Sequence, residues 1–536
     1  MRLSDTYRDL SLPLIAGVLC FLAWPPLGYT ALIFFAWVPL FFLLETDIRK
    51  WKFVLLIYLS LFIWNVSTTW WIWNASAPGA AMAILINSAL MLLPWLAFRV
   101  FRNKYGRTMG YISFVCFWLF FEYMHLQDWG LSWPWLTLGN VFASCPEWVQ
   151  WYEYTGTSGG TLWVLGVNIL IYEAIRNLSL AGWRNKKAQQ FFFSAIGLLI
   201  LPTLLSLQIR KNYAQKEISG NKQEVVIIQP NTDPYEKIGG AQFDRLLGEM
   251  ISLSRKATDS STRLLIWPET ALYTNSGLDE SRLKESGALA PLFDFLKEYP
   301  QLHLLTGIES YQLFDHKNSL YARAIPNSSQ YYEAYNAAVL LSHNGPLHFY
   351  HKSMLVPGVE TLPRFLLFLG PVFEQFGGST GGYARQEERT TIPVADHFLL
   401  APAICYESIY GEYISKYIAH DADLIAIITN DGWWGNTPGY KQHMSYARLR
   451  AIETRRWVAR SANTGISCFI DPFGNVLNPL PWWKADVIKA EIPSRTEKTF
   501  YVRYGDHISK VAGMVSIQFL VMLIIGRFRR KQTSKA

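Results

Sequence analysis

Seven nearly uninterrupted apolar stretches precede residue 210, at about 11–29, 30–44, 53–73, 80–98, 108–125, 161–176 and 190–208, and an eighth, 511–526, lies near the end. Several approach the ~20 residues a membrane span needs. Hydrocarbon offers no partner to backbone amides, so such stretches must be helical. The segment 30–44 is short, and Pro25-Pro26 and Pro94 would bend or end helices. Apolar residues make up 51% of the chain and aromatics 15%, with 22 Trp. Most of that excess lies before about residue 210, as spans and interfacial belts require. Met1 to Leu10 carries Arg2 and Arg8, but no small-residue cleavage site precedes a soluble domain. The first segment therefore reads as a span rather than a removable signal.

Charge fixes the expected orientation. Arg2 and Arg8 precede the first segment; Arg49, Lys50 and Lys52 follow the second; Arg99, Arg102, Lys104 and Arg107 follow the fourth; Arg176, Arg184, Lys186 and Lys187 follow the sixth. Arg527, Arg529, Arg530, Lys531 and Lys535 close the chain, whereas 24–30, 74–79 and 126–160 contain no Lys or Arg. Basic loops stay cytoplasmic. Both termini are thus expected inside and 209–508 outside, a parity that survives if 11–29 and 30–44 are re-entrant. The net charge of +8 does not indicate nucleic acid, because the basic residues sit in short loops and not along one face.

The outer loop 126–160 is rich in aromatic residues, among them Trp129, Trp133, Trp135, Trp148, Trp151, Tyr152 and Tyr154. It reads as an interfacial belt, or as the wall of a lipid entry. Glu122, near the outer end of the fifth segment, is a functional candidate simply because an ionisable group at membrane depth is costly.

From Glu224 the pattern changes to short apolar strands and amphipathic helices. Strands are expected at Glu224–Gln229, Leu264–Trp267, His303–Gly307, Tyr335–Leu341, Phe398–Ile404, Asp423–Thr429 and Ile466–Ile470, and helices at about 236–258, 280–298, 409–419 and 439–462. Continuous Val/Ile/Leu runs indicate strands covered on both faces, and their alternation with helices indicates a layered α/β or α+β unit. The expected division is 1–210, a bundle of about seven spans; 211–508, an outer domain; and 509–536, a last helix with a basic tail.

Three segments carry chemistry. The run from His397 to Ile404 delivers Cys405 and Glu407 to its end, Leu264-Leu-Ile-Trp-Pro-Glu269 ends in a carboxylate, and Tyr350-His-Lys352 supplies a lysine with Glu360 eight residues on. A cysteine taken alone is more often a small buried hydrophobe. A thiol near pKa ~8.5 needs a base or a cation to react at neutral pH. Glu269 could take its proton, while Lys352 and the N–H that follows Cys405 could stabilise an oxyanion. The five cysteines, Cys20, Cys116, Cys145, Cys405 and Cys468, form no CxxC pair, so neither a disulfide framework nor a zinc site is expected. Histidines 343, 348 and 351 lack a carboxylate motif beside them, and no metal or other cofactor is expected.

The order Glu269, Lys352, Cys405, each in its own motif, resembles the nitrilase (carbon–nitrogen hydrolase) superfamily, and the apolar N-terminal third narrows this to its membrane-bound branch, the apolipoprotein N-acyltransferases. Further segments are similar to that family: Trp133-Pro-Trp-Leu136, Gly139-Asn140, Tyr154-Thr-Gly-Thr157, Thr429-Asn430-Asp431-Gly-Trp433-Trp434-Gly435, Gln442-His443 and Arg460-Ser-Ala-Asn463. The resemblance implies an α-β-β-α sandwich of two stacked sheets on a polytopic helical bundle. It also implies a glutamate base, a lysine and a cysteine nucleophile, with Glu360, Tyr406, Glu407 and Asn336 in support. It implies a phospholipid acyl donor, with phosphatidylethanolamine preferred, and diacylglyceryl-modified apolipoproteins as acceptors. The setting it implies is a bacterial inner membrane with a periplasmic catalytic domain.

Between Glu360 and the cysteine strand, the apolar run Pro363 to Phe376 and the glycines from Gly377 to Gly382 read as a membrane-dipping arm on a hinge. Two other functions fit the same residues: a membrane-tethered amidase acting on small amides, and a transporter or scaffold with an inert outer domain.

Overall fold

A computed structural model describes residues 3–45, 48–130, 132–214, 221–234, 242–274, 276–362, 382–395 and 398–533. The expected arm lies almost wholly outside these residues. The chain forms two compact units, one of Met1–Trp70, Ala80–Arg210 and Tyr504–Ala536, the other of Trp71–Gly79 and Lys211–Arg503. The nine residues Trp71–Gly79 thus leave the first unit and pack with the second, which their sequence does not reveal.

The first unit is helical. Among the described residues five helices are long and apolar enough to cross a membrane: Lys50–Asn74, Ala77–Tyr105, Thr157–Ala181, Lys186–Tyr213 and His507–Gly526. Leu3–Ala23 and Arg107–His125 are helices too, but are not among those five. The short segment is broken into Thr30–Phe34 and Val38–Leu43. Asn168 meets the backbone groups freed by the break: its Nδ2 donates to the Ile33 carbonyl and its Oδ1 accepts from the Trp37 N–H, both at 2.9 Å. Glu122 is similarly occupied. It accepts from Trp118 Nε1 at 2.9 Å, the Leu138 N–H at 2.7 Å and Thr161 Oγ1 at 2.6 Å. The carboxylate therefore braces the following loop rather than waiting for a ligand.

Part of that loop turns inward: Trp135, Trp151 and Tyr152 are buried and Trp133 stacks on Trp135 with ring planes 5° apart, whereas Trp129 and Tyr154 are exposed. Gly139 is required there, because a Cβ on it would sit 2.0 Å from the Thr157 carbonyl.

The second unit contains fourteen strands among the described residues. They are β1 (Lys222–Gln229), β2 (Thr262–Ile266), β3 (Leu278–Asp279), β4 (His303–Phe314), β5 (Arg323–Ala324), β6 (Tyr331–Ser342), β7 (His348–His351), β8 (Ile392–Ala395), β9 (Phe398–Ile404), β10 (Leu424–Thr429), β11 (Trp457–Ala462), β12 (Cys468–Ile470), β13 (Val476–Leu477) and β14 (Asp486–Pro493). One sheet runs β14-β1-β2-β4-β6-β5, with β3 on β4 and β7 on β6; the other runs β13-β12-β11-β10-β9-β8. The sheets meet between β1 and β11, where Ser461 Oγ donates to the Ile228 carbonyl at 2.9 Å. Helices cover the outer faces. Leu247, Met250 and Ile251 of Phe243–Arg255 pack with Val226, Ile228 and Leu265, while Gly411–Ala419 and Pro438–Thr454 lie on the second sheet. The result is the expected α-β-β-α sandwich. All six residues of β10 are buried, as a central strand between two layers must be.

Three expectations need correction. The helix expected over 439–462 ends at Thr454, Arg455 turns left-handed at φ 52°, and 457–462 is β11, parallel to β10. Its pairing with β10 and β12 outweighs the helical pattern. The region 280–298 is two 3₁₀ turns before Ala290–Glu298, which starts with a proline in its first turn. Finally, β4 and β6 each reach twelve residues and pair antiparallel from His303↔Ser342 to Phe314↔Tyr331, well beyond their apolar cores.

Candidate active site

Parallel strands β9 and β10 deliver their C-terminal ends to one place, as do β2 and β4 in the other sheet. At the end of β9 the chain turns abruptly: Cys405 has φ 53° and begins a 3₁₀ turn through Ile409. A left-handed conformation costs a side-chain-bearing residue about 1–2 kcal/mol, and this sharp strand-to-helix turn holds the thiol at the strand's tip, with 9% of the residue's surface open.

Glu269 follows β2 through Trp267-Pro268. The β4 backbone runs against it, with the Gly307 N–H donating to the Pro268 carbonyl at 3.1 Å and the Leu272 N–H to the Gly307 carbonyl at 3.0 Å. Only glycine fits at 307, because a Cβ there would lie 2.5 Å from Glu269 Cα. Lys352, one residue past β7, is 1% exposed and lies between two carboxylates, its Nζ 3.1 Å from Glu269 Oε1 and 2.8 Å from Glu360 Oε1. Asn336 Nδ2 donates to the same two oxygens, each at 2.9 Å, and the Asn430 N–H donates to Glu269 Oε2 at 3.1 Å. The Val356 N–H fixes the far oxygen of Glu360 at 2.8 Å.

The electrostatics follow from this packing. Burial opposes the Lys352 ammonium, but the carboxylates of Glu269 and Glu360 outweigh it and hold the lysine protonated, well above its ordinary pKa. Burial, with Glu269 next, pushes the Cys405 thiol up, and the nearby Lys352 charge only partly offsets this. The resting cysteine is therefore a thiol, and reaction requires a base that removes its proton as it attacks. Desolvating three charges costs several kcal/mol each before pairing offsets it. Such an arrangement is common where chemistry is done.

Glu407 lies behind these groups and is fully buried. Its Oε1 accepts from the Ser353 N–H and Tyr350 hydroxyl at 2.7 Å, the Tyr413 hydroxyl at 2.9 Å and the Met354 N–H at 3.2 Å. Its Oε2 accepts from the Ile404 N–H at 2.8 Å. It thereby ties the lysine loop to the cysteine strand. Burial pushes its carboxyl up against these donors. Tyr406 is buried and packs edge-on to Tyr410.

Cys405, Glu269, Lys352, Glu360, Asn336 and Glu407 thus converge, with Tyr406 adjoining them in the chain. Tyr350 was not singled out by sequence, because no local pattern marks a hydroxyl whose partner, Glu407, lies 57 positions away. Among the described residues no cysteine is in a disulfide, and no group of three or more His, Cys, Asp or Glu could hold a metal.

Residues 226–501 match the carbon–nitrogen hydrolase family, and residues 16–170 match the N-terminal domain of apolipoprotein N-acyltransferase. The apolipoprotein N-acyltransferase of Chlorobaculum tepidum is 30% identical over 538 residues, covering 96% of each chain, and that of Pseudomonas putida is 27% identical over 455 residues, covering 81% of each. Among solved structures, Nit3 of Saccharomyces cerevisiae, a nitrilase-superfamily member, is 16% identical with a TM-score of 0.36, over 52% of this chain and 92% of its own. The end-to-end match to the Chlorobaculum protein joins the helical unit and the sandwich into one recognisable whole, and the chain belongs to the apolipoprotein N-acyltransferase family.

Proposed function

We propose that this N-acyltransferase moves an acyl chain from a membrane phospholipid to the α-amino group of the lipid-modified N-terminal cysteine of an apolipoprotein, through a thioester on Cys405. The observation that carries the reading is Lys352, buried between Glu269 and Glu360 beside a thiol at a strand tip. As Cys405 Sγ bonds to the ester carbonyl carbon, Glu269 takes the thiol proton. Lys352 and the Tyr406 N–H stabilise the oxyanion. Collapse breaks the carbon–oxygen bond, and the lysophospholipid alkoxide leaves with the proton held by Glu269. The acceptor's amine then attacks the thioester, Glu269 accepts its proton and returns it to the departing sulfur. Dividing the transfer in two replaces one difficult step with two easier ones. Glu360, Asn336 and Glu407 hold Lys352 and Glu269 in place. No cofactor enters.

Phosphatidylethanolamine is the proposed preferred donor, and diacylglyceryl-modified apolipoproteins are the acceptors. The setting is the bacterial inner membrane, with both termini cytoplasmic and the catalytic domain, 211–508, in the periplasm, between the 1–210 bundle and the 509–536 helix and tail. The loop charges support this orientation. So does the connection Trp71–Gly79, which belongs to the catalytic unit: Asn74 Nδ2 donates to the Trp434 carbonyl at 2.9 Å and Trp71 Nε1 to Gln442 Oε1 at 3.2 Å. That loop carries no Lys or Arg, as expected of a periplasmic one.

Incubation of the purified protein with phospholipid labelled in its acyl chain tests the reading. A labelled thioester should form in the wild type and not in Cys405→Ala. Absence of any Cys405-dependent acyl-enzyme would overturn it.

A further inference from the structure

The Cys405 carbonyl is not a reacting group, yet two buried side chains serve it. Ser408 Oγ donates to it at 2.8 Å, and His443 Nε2 lies 3.1 Å away. A carbonyl oxygen can only accept, so Nε2 carries a hydrogen. The same N–H is 2.9 Å from Ser408 Oγ. On the other side of the ring, Nδ1 lies 3.0 Å from Asp431 Oδ1 and 3.1 Å from Arg460 Nη2, and Arg460 Nη2 donates to Asp431 Oδ2 at 2.7 Å. Thr429 Oγ1 donates to Asp431 Oδ1 at 3.0 Å. Ser408, His443, Asp431 and Arg460 are all at most 1% exposed.

The peptide plane gives this cluster its purpose. The bond between Cys405 and Tyr406 is planar and trans, so the Cys405 carbonyl and the Tyr406 N–H point in opposite directions. Fixing one fixes the other. Donation into the carbonyl also polarises the amide and strengthens its N–H as a donor. The Cys405 φ of 53° is a conformation that persists only when the surroundings over-determine it.

We propose that His443, together with Ser408, is a positioning residue that aims the Tyr406 N–H at the oxyanion formed in acyl transfer. Asp431 and Arg460 hold the imidazole for that task. This rests on Cys405 being the nucleophile.

Two reactions of the same thiol separate the role from general folding. Acylation by phospholipid develops an oxyanion, whereas alkylation by iodoacetamide, a displacement at saturated carbon, does not. Both rates are measured on the full-length enzyme in detergent–phospholipid micelles. In His443→Leu, acylation should slow about 10²-fold with the KM for phospholipid changed less than about twofold, and alkylation should stay within about threefold. His443→Gln, whose amide N–H can reach the same carbonyl, should recover most of the acylation rate. Ser408→Ala removes the other donor and should show the same split at about tenfold, so the test stands even where His443→Leu does not fold.

Equal losses in both reactions, a rise in KM with kcat unchanged, no recovery in His443→Gln, or unchanged acylation would each overturn the inference. An acyl-enzyme that still forms in Cys405→Ala is a different failure, because it removes the nucleophile on which the inference rests.

Discussion

Lys352 Nζ and Glu269 Oε1 lie 3.1 Å apart in a pocket that leaves the lysine 1% exposed. One ammonium thus serves the proposed base and, through Glu360 at 2.8 Å, a second carboxylate. Lys352→Met should lower kcat for acyl transfer by at least about 10²-fold, through loss of oxyanion and carboxylate stabilisation. It should also destabilise the catalytic unit by about 3–5 kcal/mol, because two buried carboxylates are left facing each other. Thioester formation with labelled phospholipid and thermal melting in detergent measure the two effects.

Gly307→Ala tests the close approach of β4 to Glu269. The added methyl would meet backbone at 2.4 Å from the Thr270 nitrogen and 2.5 Å from Glu269 Cα, so the base must move. A displacement near 1 Å costs about 10²-fold in rate, and the overpacking should cost about 1–3 kcal/mol of stability. Wild-type activity in this variant would show that Glu269 need not be held so closely.

Glu407 should respond in steps. Tyr350→Phe removes one of its donors and should cost about 1 kcal/mol with a modest drop in kcat. Glu407→Gln puts an amide N–H against the backbone donors of either the lysine loop or the cysteine strand, whichever oxygen the nitrogen replaces. It should lose about 2–4 kcal/mol and at least about tenfold in kcat. Melting temperatures and acyl-enzyme rates for the pair give the ordering, which fails if the tyrosine change is the larger.

Acid should weaken the fold through Asp431, whose carboxyl stands at about 2 because Arg460 and His443 outweigh the cost of burial. A folded-state pKa below the unfolded value of about 3.8 means stability that is fully present above about pH 4 and is lost as pH falls toward about 2. The contribution is about 2 kcal/mol. Unfolding followed from pH 5 to 2 should steepen in that window for the wild type, and the slope should shrink in Asp431→Asn.

The thiol has the opposite sign. Burial and Glu269 hold Cys405 protonated, so its direct alkylation rate should keep rising above pH 9. A plateau between pH 6 and 7 would instead reveal a preformed thiolate.

The apolar helices, the uneven charge of the loops and the order Glu269, Lys352, Cys405 were legible in the sequence, because each rests on a local run of residue types. Strand β9 was read to its bounds, since a buried strand and its terminating cysteine are contiguous. Residues 457–462 were misread as helix, because what makes them a strand is pairing with β10 and β12, and pairing is not a local property. The resemblance named Glu407 and His443 as motif members, but not what they touch. Glu407 reaches across 54 positions to Ser353, and His443 across 38 to the Cys405 carbonyl. Residues Trp71–Gly79 sit with the catalytic unit although they join two spans. Sequence by itself determined which chemical groups the chain carries and that part of it must cross a membrane, because hydrophobicity and residue type are written locally. Only the tertiary structure decided which of those groups meet, because a hydrogen bond between distant segments depends on register, turn geometry and close packing that no single segment encodes.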